Sequence, residues 1–253
     1  MKEITKVLLC CLSLAVLSWG CAEDPAARRA KAEAKETLGM ALLNDGDMPE
    51  ALKALLEAAE MDPQNARLQN TIGLTYADMG QPEKAIHHFK RSLELKPNDP
   101  DAQNNLGTVY AGLGRFDMAI DLFKKAAENP TYETRFFAYN NLGSAYYTLK
   151  QYRMAVENFK RAVDLFPAYA RAYDNMGLAF EMLKEYEAAV EAYKASVQHV
   201  PEYPLSYLHL GSLYLRLNRR EEAKDMIMKG ILVDKTDQYK IEAQRLLEEI
   251  QKR

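Results

Sequence analysis

The spacing of six glycines constrains this chain more than any other feature. Gly39, Gly73 and Gly107 lie 34 residues apart, Gly143 follows 36 later, and Gly177 and Gly211 return to a step of 34. Each is preceded by an apolar residue: Leu38, Ile72, Leu106, Leu142, Met176 and Leu210. Three residues beyond each glycine stands a large side chain: Leu42, Tyr76, Tyr110, Tyr146, Phe180 and Tyr214. Twelve beyond, every copy has alanine: Ala51, Ala85, Ala119, Ala155, Ala189 and Ala223. Four further come Leu55, Phe89, Phe123, Phe159, Tyr193 and Ile227, and three after those a small residue from Ala58 to Gly230. A fixed period of this length means stacked units, because no single unit can bury its apolar face alone.

Within each unit the large residue, the alanine and the aromatic recur at helical spacing. Small residues at the glycine and alanine positions let two helices approach closely, and the aromatic fills the gap beside them. Pro63, Pro97, Pro167 and Pro201 stop the second helix of four copies and set the turn into the next. These residues together resemble the tetratricopeptide repeat. The resemblance implies an all-α fold, a right-handed α-solenoid of six helix-turn-helix repeats over 32–65, 66–99, 100–133, 136–169, 170–203 and 204–237. Residues 238–253 are predicted to form a capping helix with Ile241, Ala243, Leu246, Leu247 and Ile250 on its apolar face.

Composition narrows the function. Apolar residues make up 48% and charged ones 27%, which excludes disorder throughout. With 33 basic and 36 acidic residues the net charge is −3, so no basic excess neutralises a phosphate backbone, and no nucleic-acid partner is expected. Adjacent His87 and His88 point about 100° apart on a helix and cannot chelate as a pair. His199 and His209 are read as surface or inter-repeat histidines. Gly112-Leu113-Gly114 is similar to a fragment of a dinucleotide motif but falls in a helix-to-helix turn. No nucleophile, phosphate loop or metal-ligand cluster stands out. A non-enzymatic binding scaffold with no cofactor and no metal is expected.

The three cysteines, Cys10, Cys11 and Cys21, all lie in the first 21 residues, which excludes a disulfide framework or a Cys-ligated metal in the repeats. Lys2 and Lys6 precede an apolar run from Val7 to Trp19, too short for a comfortable membrane span. Leu17-Ser18-Trp19-Gly20-Cys21 resembles the lipobox of bacterial lipoproteins. That implies a signal peptide over 1–20, a lipidated Cys21, and a tether over 21–31 whose second half can be helical. Ala22 after the cysteine implies sorting to the outer membrane, facing the periplasm. Ordinary signal cleavage is the other reading of the same segment.

Stacked helix pairs present their first helices on one surface. With each glycine counted as position 8, positions 2, 5, 9 and 12 make one stripe. The stripe takes in Arg67, Asn70, Leu74 and Ala77, then Asp101, Asn104, Thr108 and Ala111. Phe137, Asn140, Ser144 and Tyr147 follow, then Ala172, Asp174, Leu178 and Glu181. Amides, small residues and an aromatic patch at Phe137 and Tyr147 suit an extended or helical peptide. Asn105, Asn141 and Asn175 repeat at position 6. They read either as a ladder gripping a peptide main chain or as bonds to the neighbouring repeat. The basic residues of a carboxylate clamp are missing from position 5, which holds Glu36, Asn70, Asn104, Asn140, Asp174 and Leu208.

The two extra residues fall in the stretch from Asn129 to Gly143, where Tyr132 and Arg135 precede Asn141-Leu142-Gly143. This joint, the lipobox, the length and the six copies resemble the type IV pilus biogenesis and stability lipoproteins of the PilF/PilW type. The resemblance implies a pilotin, which binds the pilus secretin and helps it assemble at the outer membrane. An adaptor for cell-wall hydrolases or outer-membrane assembly is the alternative.

Overall fold

The computed structural model describes residues 24–252. Cys21, the predicted signal segment 1–20 and the start of the predicted tether lie outside the described residues, as does Arg253. The described residues form thirteen helices and no strand. They divide into two compact units, the first ending at Leu95 and the second beginning at Lys96. The first holds α1 (Pro25–Asn44), α2 (Met48–Met61), α3 (Ala66–Asp78) and α4 (Pro82–Leu95). The second holds α5 (Pro100–Gly112), α6 (Phe116–Glu128), α7 (Arg135–Thr148), α8 (Tyr152–Leu165), α9 (Ala170–Met182), α10 (Tyr186–His199), α11 (Pro204–Arg216), α12 (Arg220–Val233) and α13 (Lys240–Lys252). Each pair from α1·α2 to α11·α12 is one copy of the repeat.

The glycine-to-aromatic spacing records where the two helices of a pair cross. A Cβ placed on Gly73 would lie 2.7 Å from the Phe89 ring, and one on Gly177 would lie 2.4 Å from the Tyr193 ring. Those distances are inside van der Waals contact, so only a hydrogen fits at the crossing. Phe89, Phe123, Phe159 and Tyr193 are almost wholly buried as a result, and so is the alanine four residues before each. A side chain of this size gains about 1.5–3 kcal/mol from such burial.

Inter-pair packing explains the apolar residue before the glycine. Ile72 of the second copy is fully buried, whereas Leu38 of the first copy is 48% exposed. Among the described residues no earlier pair stands against α1 to cover it.

Within the stretch predicted as a tether over 21–31, the described residues are helical from Pro25 onward. Asp24 caps this helix, its Oδ1 accepting from the Ala26 amide at 3.1 Å, Pro25 occupies the first helical position, and the following residues are strong helix formers. One expectation is corrected: in α13, Ala243 and Leu246 are buried against Leu208 and Ile227, with Leu247 and Ile250 packed beside them, but Ile241, predicted on that face, is 83% exposed. Residues 243, 246, 247 and 250 follow the helical period, and Ile241, two residues before Ala243, projects from another side.

Candidate peptide-binding surface

In the second unit the first helices α5, α7, α9 and α11 follow one another as neighbours. Position 5 of the third, fourth and fifth copies is joined to position 6 of the next copy. The Asn141 Nδ2 donates to Asn104 Oδ1 at 3.0 Å, and the Asn175 Nδ2 donates to Asn140 Oδ1 at 3.0 Å. The third rung changes chemistry: His209 Nδ1 lies 3.0 Å from both carboxylate oxygens of Asp174. Ser206 also donates to Asp174 Oδ1 at 3.0 Å.

Asn104, Asn140 and Asp174 are therefore buried acceptors between repeats, at 9%, 3% and 2% exposure, and not an open groove wall. The position-6 residues bonded to them, Asn141, Asn175 and His209, stay half-open, whereas Ser206 is buried. Once one N–H is spent on a rung, each of Asn141 and Asn175 keeps a second N–H and its carbonyl oxygen. That pair matches the donor and acceptor of a peptide unit.

Two adjacent cavities open beside these amides. The first, about 230 Å³, is lined by Thr108 and Ala111 of α5, Phe116 and Phe123 of α6, and Asn141, Ser144, Ala145 and Thr148 of α7. The second, about 220 Å³, is lined by Ser144, Tyr147 and Thr148, with Phe159, Asn175 and Leu178. No charged residue lines either. The hydroxyls of Thr108, Ser144 and Thr148 donate back to the carbonyls of Asn104, Asn140 and Ser144 in their own helices, which turns methyl and methylene groups to the cavity. Burial, helped by the Tyr152 and Glu181 side chains, pushes the Tyr147 hydroxyl above its ordinary pKa, so it stays a neutral donor.

Of the sequence-predicted residues, Thr108, Asn141, Ser144, Tyr147 and Asn175 come together at these cavities. Asn70 and Leu74 lie in the first unit, Asn70 half-buried and Leu74 40% exposed. Asn105 is half-buried on α5. Phe137 and Tyr147 do not share a patch. They stand at opposite ends of α7; Phe137 packs on Phe136 and Tyr169, whereas Tyr147 meets Tyr152 at 5.4 Å. Ala172 is fully buried, and the residue at position 2 of the fifth copy is the exposed Arg171.

The joint is a built structure. Asn129 makes an Asx turn, its Oδ1 accepting from the Thr131 amide at 3.0 Å, and its Nδ2 reaches back to the Asn98 carbonyl at 3.2 Å. Tyr132 plugs the space among Ala126, Ala127 and Ala138 and hydrogen-bonds Asp101. Burial raises the pKa of both groups. Arg135 opens α7.

His209, read from the sequence as a surface or inter-repeat histidine, is the last inter-repeat rung, at position 6 of the sixth copy in register with Asn105, Asn141 and Asn175. Sequence reasoning missed Phe136, Phe166 and Tyr169. Among the described residues no cluster of three or more His, Cys, Asp or Glu side chains is placed to hold a metal ion.

Stacked helix pairs with a small-residue crossing and an inter-repeat side-chain ladder define a class of helical repeat proteins that present a surface to other proteins. Models of the tetratricopeptide repeat match residues 30–98, 65–131, 99–168 and 135–202, and a further model of the same repeat matches 205–237. The chain belongs to the tetratricopeptide-repeat family. No curated protein sequence matches it. Among solved structures, PilF of Pseudomonas aeruginosa is similar with a TM-score of 0.73 and 21% identity, over 88% of this chain and 99% of that one. PilW, a widely conserved type IV pilus biogenesis factor, is similar with a TM-score of 0.74 and 22% identity, over 85% and 98%. At that identity the likeness is one of fold. MamA gives 28% identity with a TM-score of 0.58, over 66% of this chain and 96% of that one.

Proposed function

We propose that this chain is a non-enzymatic, lipid-anchored scaffold of the outer membrane that supports type IV pilus assembly as a pilotin, with the pilus secretin as its partner. The observation that carries the reading is the near end-to-end likeness to two pilus factors, covering 99% and 98% of their lengths. The lipobox-like stretch ending at Cys21 supports it from the sequence. No described helix is long and apolar enough to cross a membrane, and in this reading the lipid on Cys21 makes the attachment. The two cavities beside Asn141 and Asn175 hold the partner's segment, its main chain paired to the carboxamides and uncharged side chains in the pockets.

Deleting the gene and following secretin multimers on a gel tests the role. Loss of the heat-resistant multimers together with twitching is expected, and multimers that persist unchanged would remove the pilotin role. Cys21→Ser is expected to release the protein from the membrane fraction. Retention of that variant would refute the lipid anchor.

A further inference from the structure

Four aromatic rings gather where the joint before α7 meets the joint between α8 and α9. Phe136 and Phe137 come from the first turn of α7, Phe166 follows α8, and Tyr169 caps α9. The Phe136 ring lies 4.3 Å from Phe137, 4.7 Å from Phe166 and 5.2 Å from Tyr169, centre to centre, and Phe137 lies 5.4 Å from Tyr169, nearly edge to face. Phe137 and Phe166 are nevertheless 41% and 42% exposed. The helix pair does not require them. Earlier joints read Asp62-Pro63-Gln64-Asn65 and Lys96-Pro97-Asn98-Asp99, and the position of Phe137 is held by Arg67 and Asp101 in the second and third copies. Rings left half in water and fixed by their neighbours form an ordered apolar platform, the kind of surface on which contact energy concentrates.

The charge around the platform selects its occupant. Arg135 heads α7, and Arg171 is the second residue of α9, close enough for its charge to act on Tyr169. Neither first turn contains an acid. Among the described residues neither guanidinium has a carboxylate partner; Arg171 bonds the Tyr203 hydroxyl, and the carboxylates nearest in sequence, Glu133 and Asp164, pair with neither. An apolar partner without charge would bring both cations toward low dielectric uncompensated. A large apolar side chain next to a carboxylate satisfies both features at once.

We propose that this ring cluster docks an acidic peptide segment of a partner protein. A large apolar side chain sits on Phe137 and Phe166, and a neighbouring carboxylate is held by Arg135 and Arg171. The inference rests on the chain being an interaction scaffold and holds whichever assembly it serves, so loss of the pilus role leaves it standing.

The test selects a displayed random decapeptide library on the purified full chain. The best sequence is then measured by fluorescence anisotropy beside a version with each Asp and Glu replaced by Lys. Enrichment of large apolar residues next to Asp or Glu is expected, with the lysine version at least ten-fold weaker. Phe137→Ser/Phe166→Ser and Arg135→Gln/Arg171→Gln are each expected to weaken binding at least ten-fold, while Met228→Ser, on an exposed face of α12, does not. Arg171 is exposed and Arg135 only partly covered, and circular dichroism of both double variants controls for folding. Selected peptides without acids, or binding that survives both double variants, would overturn the proposal. So would vesicles of phosphatidylglycerol and phosphatidylethanolamine being the only probe whose binding the phenylalanine changes abolish, or a dimer that the same changes dissolve.

Discussion

In the first three copies the residue seven beyond the crossing glycine is Gly46, Gly80 or Gly114, with φ of 83°, 68° and 73°. In the last three it is Lys150, Lys184 or Asn218, with φ of 61°, 61° and 60°. The turn is the same left-handed one, built without strain early in the chain and against strain later. Capping differs in the same direction. Asp47, Asn65 and Asp99 accept amide hydrogens at the starts of α2, α3 and α5, whereas the N-caps of α6 to α12, from Arg115 to Arg219, make no side-chain cap bond. The half-buried histidines also diverge. His88 bonds Gln69 Oε1 at 2.8 Å and stacks on Tyr76, while His209 bonds the buried Asp174. Local economy is given up in the copies that carry the amide ladder, the ionic rung and the open rings. Repeat proteins can carry such costs because each interface adds its own share of stability.

The ionic rung is where breaking this pattern has the largest effect. Asp174→Ala leaves His209 and Ser206 facing an empty buried site, and a loss of about 3–5 kcal/mol is expected. Asn140→Ala removes only a neutral acceptor from Asn175, and a loss of about 1–3 kcal/mol is expected. Urea unfolding followed by circular dichroism measures both. Equal losses would show that the carboxylate adds nothing over an amide.

Acidity sharpens the contrast between the histidines. Burial, with His87 beside it, lowers the His88 pKa to about 4, below the unfolded value near 6.5. Its neutral form is the one that fits, so its contribution is present above pH 6.5 and is lost as pH falls toward 4. Burial acts downward on His209 too, but the Asp174 carboxylate, with Glu242 and Glu181, outweighs it and raises the pKa. Its contribution is complete below pH 6.5 and is lost as pH rises through the raised value. Melting curves from pH 4.5 to 8.5 are expected to lose their acid-side drop in His88→Gln and their alkaline-side drop in His209→Asn. The His88 effect is of order 1 kcal/mol, since solvent screens the half-exposed ring. Identical profiles for both variants would refute the opposed assignments.

Exchanging turn residues moves stability by about 1 kcal/mol per site. Lys150→Gly and Lys184→Gly remove the Cβ from a left-handed turn and are expected to raise the unfolding midpoint, and Gly80→Lys to lower it.

The helix pairs were legible because their register is written in residues with no substitute. Only glycine fits 2.4 Å from the Tyr193 ring, and only small side chains fit along the alanine row. The site was legible in part. Position 6 marked Asn141 and Asn175 as recurring polar groups, but spacing along one helix does not say whether a side chain meets solvent or the next repeat. Asn104, Asn140 and Asp174 were placed in the groove for that reason. Phe137 and Tyr147 share a stripe on paper, yet ten residues of helix separate them by about 15 Å. The rings that do meet Phe137 come from another joint, where packing between repeats brings together residues that no periodicity links. Ile241 shows the same limit at the cap, where an apolar residue outside the helical phase is left in water.

The smallest effect tests whether the difference between the early and late copies is local at all. Asp47 caps α2 with φ −85° and ψ 72°, and its Oδ1 accepts from the Glu50 amide at 3.3 Å. Gln151 stands at the same place before α8 with φ −88° and ψ 62°, exposed and with no cap bond. The backbone is already in the capping conformation, and only the side chain has the wrong length. Gln151→Asp is therefore expected to add about 0.5–1 kcal/mol, and Asn65→Ala in the early copies to cost about the same. If Gln151→Asp leaves the unfolding midpoint unchanged while Asn65→Ala lowers it, the late helices do not use their termini as the early ones do. Their stability would then come from the contacts between repeats, and the cap residues would be free to vary for reasons other than helix formation.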